Sequence, residues 1–303
     1  MPRSEKHTAR ATALIALSAC GFGSISVLTT IVIRSGTGLI PAMFWRYLLA
    51  VVIVGAIVLW KERTDFRLSI PLLVVGGFGQ ALITYLSLKA LDFIPVGPLA
   101  FLFYTYPAWV AIISALRGTD RMTPMRAVAL VASLAGVTVI VGSPFNSSLH
   151  PAGVALALAS AVAYGVYLPA VSTLQLNVKP MIAAFHVIMG ATIVFGVAIV
   201  ARGDITAHVS VTAGAGMATL ALVSTVGAFW LLLAGLAVLG PVRTAIVATV
   251  EPFFTMLLGS VVLAERLSIR TGIGGMLIAL AVIVIQRAAA PLEQGEAAPA
   301  TVS

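Results

Sequence analysis

The stretch PVRTAIVATVEPFFTMLLGSVVL, residues 241–263, decides the class of this chain. As a helix it is long enough to cross a hydrocarbon core about 30 Å thick. Its one carboxylate, Glu251, lies about 15 Å from the Pro241 end at 1.5 Å per residue. A lone acid at that depth is expensive to keep and marks a working site. Nine more apolar runs accompany it, near 11–33, 39–60, 70–90, 95–116, 124–141, 152–173, 180–201, 213–236 and 271–286. Spans in that number exclude a soluble enzyme. Only helices satisfy their own backbone in lipid, so the expected fold is an all-α integral membrane protein of ten transmembrane helices.

Composition agrees. The 303 residues are 60% hydrophobic and 9% charged, with mean hydropathy +1.09, where a soluble domain carries about 25% charged residues. The net charge of +8 does not point to nucleic acid, because the basic residues sit mainly in short connections between apolar runs. Cys20 is the only cysteine, so no intrachain disulfide and no Cys-based zinc site is expected. The four histidines lie far apart, without metal-ligand spacing, and no cofactor motif is present. Leu17-Ser18-Ala19-Cys20 resembles a lipoprotein cleavage box, but the apolar run continues to Ile33, which predicts a span rather than a cleaved leader.

With the N-terminus inside, alternate loops place Arg3, Lys6, Arg10, Lys61, Arg63, Arg67, Arg117, Arg121, Arg126, Lys179, Arg243 and Arg287 on one side. The other side receives only Arg34, Lys89, Arg202, Arg266 and Arg270. This bias puts both termini in the cytoplasm and rests on the first half; the expected location is the cytoplasmic or inner membrane. A shift of 145 positions superposes Tyr85 on Trp230, Leu91 on Leu236, Pro107 on Pro252, Asp120 on Glu265 and Arg121 on Arg266. An odd number of spans per repeat makes the two halves inverted, a transporter signature. The expected organisation is a cytoplasmic segment 1–10, a first five-helix repeat 11–141, an extracytoplasmic linker 142–151, a second repeat 152–287 and a disordered tail 288–303.

Several residues inside spans are candidates for substrate binding or coupling. Glu251 leads; its alternative is a structural ion pair or a carboxyl hydrogen-bonded beside a kink. Arg46 lies about 10 Å below the outer boundary by residue rise. It either snorkels outward or turns inward to pair with Glu251 or to hold a substrate carboxylate. His186 offers proton exchange or, more simply, a neutral ring bonded to backbone. Tyr106, Tyr85 and Trp230, with Gln80, lie inside spans rather than at the interfaces, where Trp60 sits. Buried Tyr and Trp need polar partners, so some line a wet cavity. Pro107 and Pro252 each remove a helix hydrogen bond, leaving the carbonyls of Phe103 and Ala248 free, and read as hinges. Small residues four apart, Ala157-Ala161-Gly165, Ala132-Gly136 and Gly275-Ala279, allow close helix approach within the monomer or across a homodimer, which they do not require.

Three stretches together resemble the drug/metabolite transporter superfamily, in its EamA-type ten-helix members. They are Phe44-Trp45-Arg46-Tyr47-Leu48-Leu49-Ala50, Tyr104-Thr105-Tyr106-Pro107 through Asp120-Arg121, and Val250-Glu251-Pro252-Phe253 through Ala264-Glu265-Arg266-Leu267. The similarity covers about residues 11–287. It implies two inverted five-helix repeats around a central cavity and export of small metabolites or amino acids. The first span lacks the glutamate of the small multidrug-resistance relatives, so multidrug–proton antiport through that acid is not implied.

The function expected is therefore secondary transport of a small molecule across the bilayer, most simply amino-acid efflux by alternating access. An importer of a sugar, nucleoside or organic cation is the alternative. A membrane-embedded enzyme would want paired carboxylates, a Ser–His set or metal ligands at one depth. A channel would show a polar filter, and a scaffold would have no use for intramembrane Glu251 and Arg46.

Overall fold

The computed structural model describes residues 3–62, 64–94, 99, 102–118, 122–141, 149–203, 210–262 and 269–287. Among them the chain is all helix and turn, without a strand. Helix α1 runs Arg3–Arg34 and α2 Leu39–Lys61. A π-helical turn, Leu72–Gly76, leads into α3, Gly77–Ala90. Then follow α4 (Tyr106–Leu116), α5 (Pro124–Val141), α6 (Pro151–Leu174) and α7 (Pro180–Arg202). Helix α8 (Val211–Thr219) passes through a second π segment, Leu220–Gly227, into α9 (Ala228–Ala248). The last two are α10 (Glu251–Val262) and α11 (Ile269–Arg287).

Among the described residues six helices are long and apolar enough to cross a membrane, and three shorter apolar ones accompany them. Helix α1 starts at Arg3 rather than near residue 11, because no Pro or Gly interrupts the run from Arg3 to Ala11. Proline opens α6 and α7 in the first turn, where its missing N–H costs nothing. Gly240 divides α9: at φ 73° and ψ 173° it adopts a conformation that only glycine holds without strain. The break falls where the sequence separates its eighth and ninth apolar runs. Trp60 is 80% exposed at the end of α2, with the Lys61 ammonium 5.2 Å from its ring centroid, an arrangement suited to the lipid headgroup level.

Segments 145 residues apart pack reciprocally. Helix α1 lies along α9 as α3 lies along α6; α10 packs on α1 as α4 packs on α6; α2 pairs with α7, and α5 with α11. Small residues set the closest approaches. Gly77 on α3 and Gly190 on α7 meet backbone to backbone, and a Cβ at Gly190 would collide with the Leu73 carbonyl oxygen of the π turn. A Cβ at Gly165 would strike Trp109, and one at Gly136 would reach the Gly274 carbonyl oxygen. These faces are thus spent within the chain. The pairs Asp120-Arg121 and Glu265-Arg266, most of the 142–151 linker and the 288–303 tail lie outside the described residues.

Candidate substrate cavity

Neither α4 nor α10 spans a bilayer. At 11 and 12 residues each is about 16–18 Å long, against a core of about 30 Å. Each follows a two-residue break, Tyr104-Thr105 in one half and Thr249-Val250 in the other. These breaks coincide under the 145-residue shift. A threonine hydroxyl closes each: Thr105 Oγ1 donates to the Leu102 carbonyl and Thr249 Oγ1 to the Ile246 carbonyl, both at 2.7 Å. Pro107 and Pro252 stand just after these interruptions, where Thr105 (φ −74°, ψ −11°) and Thr249 (φ −64°, ψ −5°) stay in the right-handed helical region, so the chain bends there without leaving it. Each is the second residue of a new helix, where a free N–H is not needed. The first residues of the two new helices are Tyr106 and Glu251.

Both first residues line one cavity of about 210 Å³ between the two halves of the chain. The Glu251 carboxyl lies near Tyr104, in the opposite break, on the wall of the cavity that both line. Tyr106 is buried, packs edge-on against Tyr164 with centroids 4.6 Å apart, and directs its hydroxyl at the Ala245 carbonyl at 3.5 Å. Gln80, on α3, donates to Thr84 Oγ1 at 3.1 Å and to the Tyr47 hydroxyl at 3.3 Å.

Arg46 is 1% exposed and lines the same cavity. It does not snorkel, and it forms no ion pair with Glu251: no carboxylate among the described residues lies within 4.0 Å of its nitrogens. Its Nε donates to Thr225 Oγ1 at 2.7 Å and its Nη2 reaches the Ser224 carbonyl at 3.4 Å.

The remaining candidates sit elsewhere. His186 is buried near the start of α7, stacked on Phe66 with centroids 5.6 Å apart. Its Nε2 accepts from the Ser69 amide at 3.0 Å, so Nδ1 carries the proton and donates to the Ile182 carbonyl at 2.7 Å. Both nitrogens are spent on backbone groups, and among the described residues the ring has no acidic partner. Tyr85 and Trp230 are not among the cavity walls, and Trp230 is 42% exposed. They matched each other under the repeat, but the match reflects a shared helix position rather than a shared cavity.

The walls also include residues that single-residue reasoning missed. Ser18, Phe22, Ile25 and Thr29 form one stripe of α1, and Gln80, Thr84 and Ser87 one stripe of α3. Their i, i+4, i+7 spacing was the available signal, since hydroxyl and amide groups repeating on one face of an apolar helix seek a common wet or hydrogen-bonded environment. Thr225 carried no such signal, because its role depends on the π segment.

Two stretches of the chain, residues 9–142 and 151–287, match the EamA-like transporter family. No curated protein matches it. A solved structure described only as "Crystal structure of protein" superposes with a TM-score of 0.80 at 17% identity, covering 95% of this chain and 99% of its own, which is a likeness of fold. The two family matches take in nearly all the described residues and both sides of the cavity. The chain is therefore a multi-pass membrane protein of the EamA-like transporter family, within the drug/metabolite transporter superfamily.

Proposed function

We propose that this protein is a secondary transporter that exports an amino acid or similar small polar metabolite by alternating access. The observation that carries the reading is the meeting of two broken helices at one cavity, with Glu251 and Tyr106 as their first residues. Discontinuous helices that start at mid-membrane around a polar group are how transporters place a site between two moving halves. The reciprocal packing of segments 145 residues apart supports two inverted five-helix repeats, ten spans in all, with α8 to the Gly240 break and the run 241–262 as the eighth and ninth. An amino acid is favoured because the cavity holds an acid and a guanidinium that are not neutralised by each other.

Export is what the family resemblance suggests; orientation follows from the excess of Lys and Arg on the side of the N-terminus, which we place in the cytoplasm. The cavity rim then lies outward: Ile33 and Leu91, at the far ends of α1 and α3, are 43% and 37% exposed, while Ser18 deeper on α1 is 1% exposed. On the opposite side Lys179, before α7, bridges Glu62 and Asp65 beyond α2, each at 2.6 Å. The arrangement reads as an outward-open shape latched on its inner side. The test is uptake into inverted vesicles or proteoliposomes of labelled amino acids, sugars, nucleosides and organic cations, with and without a proton gradient. Saturable uptake of amino acids supports the reading. Saturable uptake of only another class defeats the amino-acid assignment, and no uptake of any class defeats transport.

A further inference from the structure

We propose that Arg46 is an anion receptor built into the cavity, and that it holds a carboxylate of the cargo on its Nη1 and Nη2 edge. A guanidinium has five N–H donors. Here Nε is tied to Thr225 Oγ1 at 2.7 Å, Nη2 meets one carbonyl oxygen at 3.4 Å, and Nη1 meets only the Met43 thioether sulfur at 3.9 Å. A thioether is a weak acceptor, so among the described residues most of the fork has no adequate partner. The group nevertheless keeps its charge, because arginine does not deprotonate in proteins. A buried cation without a counter-charge is costly unless an anion completes it.

The surroundings hold this fork in place rather than neutralise it. Thr225 lies in the π segment Leu220–Gly227, and its hydroxyl donates to the Leu220 carbonyl five residues back at 3.0 Å. That bond spends the hydroxyl proton and leaves the oxygen to accept from Nε. On the other side the guanidinium stands 5.2 Å from the Tyr47 ring centroid. Fixed at Nε and at one face, the group presents its remaining N–H pairs in the planar geometry that matches a carboxylate bidentately. Thr29, on the α1 wall of the same cavity, is 3% exposed, and its hydroxyl has no partner among the described residues. It is a second unspent polar group for the same ligand. Glu251 is not paired with this fork, since no carboxylate among the described residues lies within 4.0 Å of the Arg46 nitrogens.

The inference rests on the transport reading and narrows it: cargo must carry a carboxylate, so an amide or a simple organic cation of equal size is not carried. Chloride has the same charge and is the competing source of an anion. Equilibrium binding to the purified full chain is measured for acetate, L-alanine, L-leucine, L-phenylalanine, the three corresponding amides, and chloride. The expected result is binding of at least one carboxylate, no binding of its amide, and a loss of about 100-fold on Arg46→Gln. Arg46→Lys, which keeps the charge without the fork, and Thr225→Val, which frees Nε, should each weaken the same carboxylate while the unfolding temperature stays near wild type. Equal binding of acids and amides, no binding of any carboxylate, unchanged affinity in Arg46→Gln, or binding of chloride with no further effect of carboxylates would each overturn the proposal. The two readings fail separately. Carboxylate binding that needs Arg46 without any uptake spares the subsite and sinks transport, whereas unimpaired uptake by Arg46→Gln vesicles does the reverse.

Discussion

At Glu251 the carboxyl has no cation within 4.0 Å among the described residues, so an amide can take its place without stranding a charge. Glu251→Gln should therefore fold and unfold like wild type, because the amide has nearly the same shape and breaks no ion pair. It should abolish gradient-driven transport while leaving counterflow exchange, if the carboxyl carries the coupled proton. The measurement is the ratio of the two fluxes in proteoliposomes; an unaltered ratio removes the coupling role. A rescue of Glu251→Gln by Arg46→Gln is not expected, since the two groups do not form the pair whose loss such a rescue would repair.

The two broken helices make their own prediction. Pro107→Ala and Pro252→Ala each restore an N–H at the start of a half-helix and favour a continuous helix through the break. Turnover should fall by about tenfold, a barrier rise of about 1.4 kcal/mol, with substrate affinity nearly unchanged. Initial-rate uptake over a range of concentrations separates the two terms, and an equal loss in both would assign the prolines to packing alone. Gly190→Ala tests the closest helix contact. The new methyl meets the Leu73 carbonyl oxygen and Gly77, an overpacking that should cost about 1–3 kcal/mol, read as a lower unfolding temperature in detergent. Most of this architecture was legible in the sequence, because a bilayer-spanning helix needs an apolar run of fixed length and the runs end at charges, Gly or Pro. The breaks at Tyr104-Thr105 and Thr249-Val250 were not. A proline reports a lost hydrogen bond but not how many residues the helical pattern loses around it, nor that a threonine hydroxyl bonds back to a carbonyl in each interruption. The partner of Arg46 was hidden for a related reason. A π segment has no composition of its own, so nothing in Leu220–Gly227 announced that Thr225 would face α2.

As a whole the molecule is tied across its two halves on one side by Lys179, Glu62 and Asp65. The two carboxylates hold the Lys179 ammonium above the ordinary lysine range. A base raised in this way keeps its bonds below that range and loses them only as pH climbs through its higher value, so the latch persists at every physiological pH. Its groups are exposed, so salt weakens it. Lys179→Ala, or high salt on the wild type, should speed alkylation of Ile182→Cys, a buried position at the base of the latch, in a Cys20→Ala background. Unchanged labelling would mean that the bridge decorates the surface without holding the inner side closed. The buried guanidinium also has an electrical consequence. In the proposed cycle the cavity opens alternately to either face, so Arg46 experiences first the outer and then the inner potential without leaving its helix. Glu251 can shed its charge by taking a proton; Arg46 cannot. A negative interior therefore draws the empty carrier toward its inward-open shape by up to about 2.3 kcal/mol per 100 mV. A monoanionic cargo such as acetate cancels the charge and leaves the loaded step indifferent to voltage, whereas a zwitterionic amino acid leaves the charge in place. With acetate as cargo, a potassium–valinomycin potential should accordingly speed net exit and leave one-for-one exchange untouched, and Arg46→Gln should erase the difference. The resting membrane voltage would then power the return of the unladen protein, the half of the cycle in which no cargo moves.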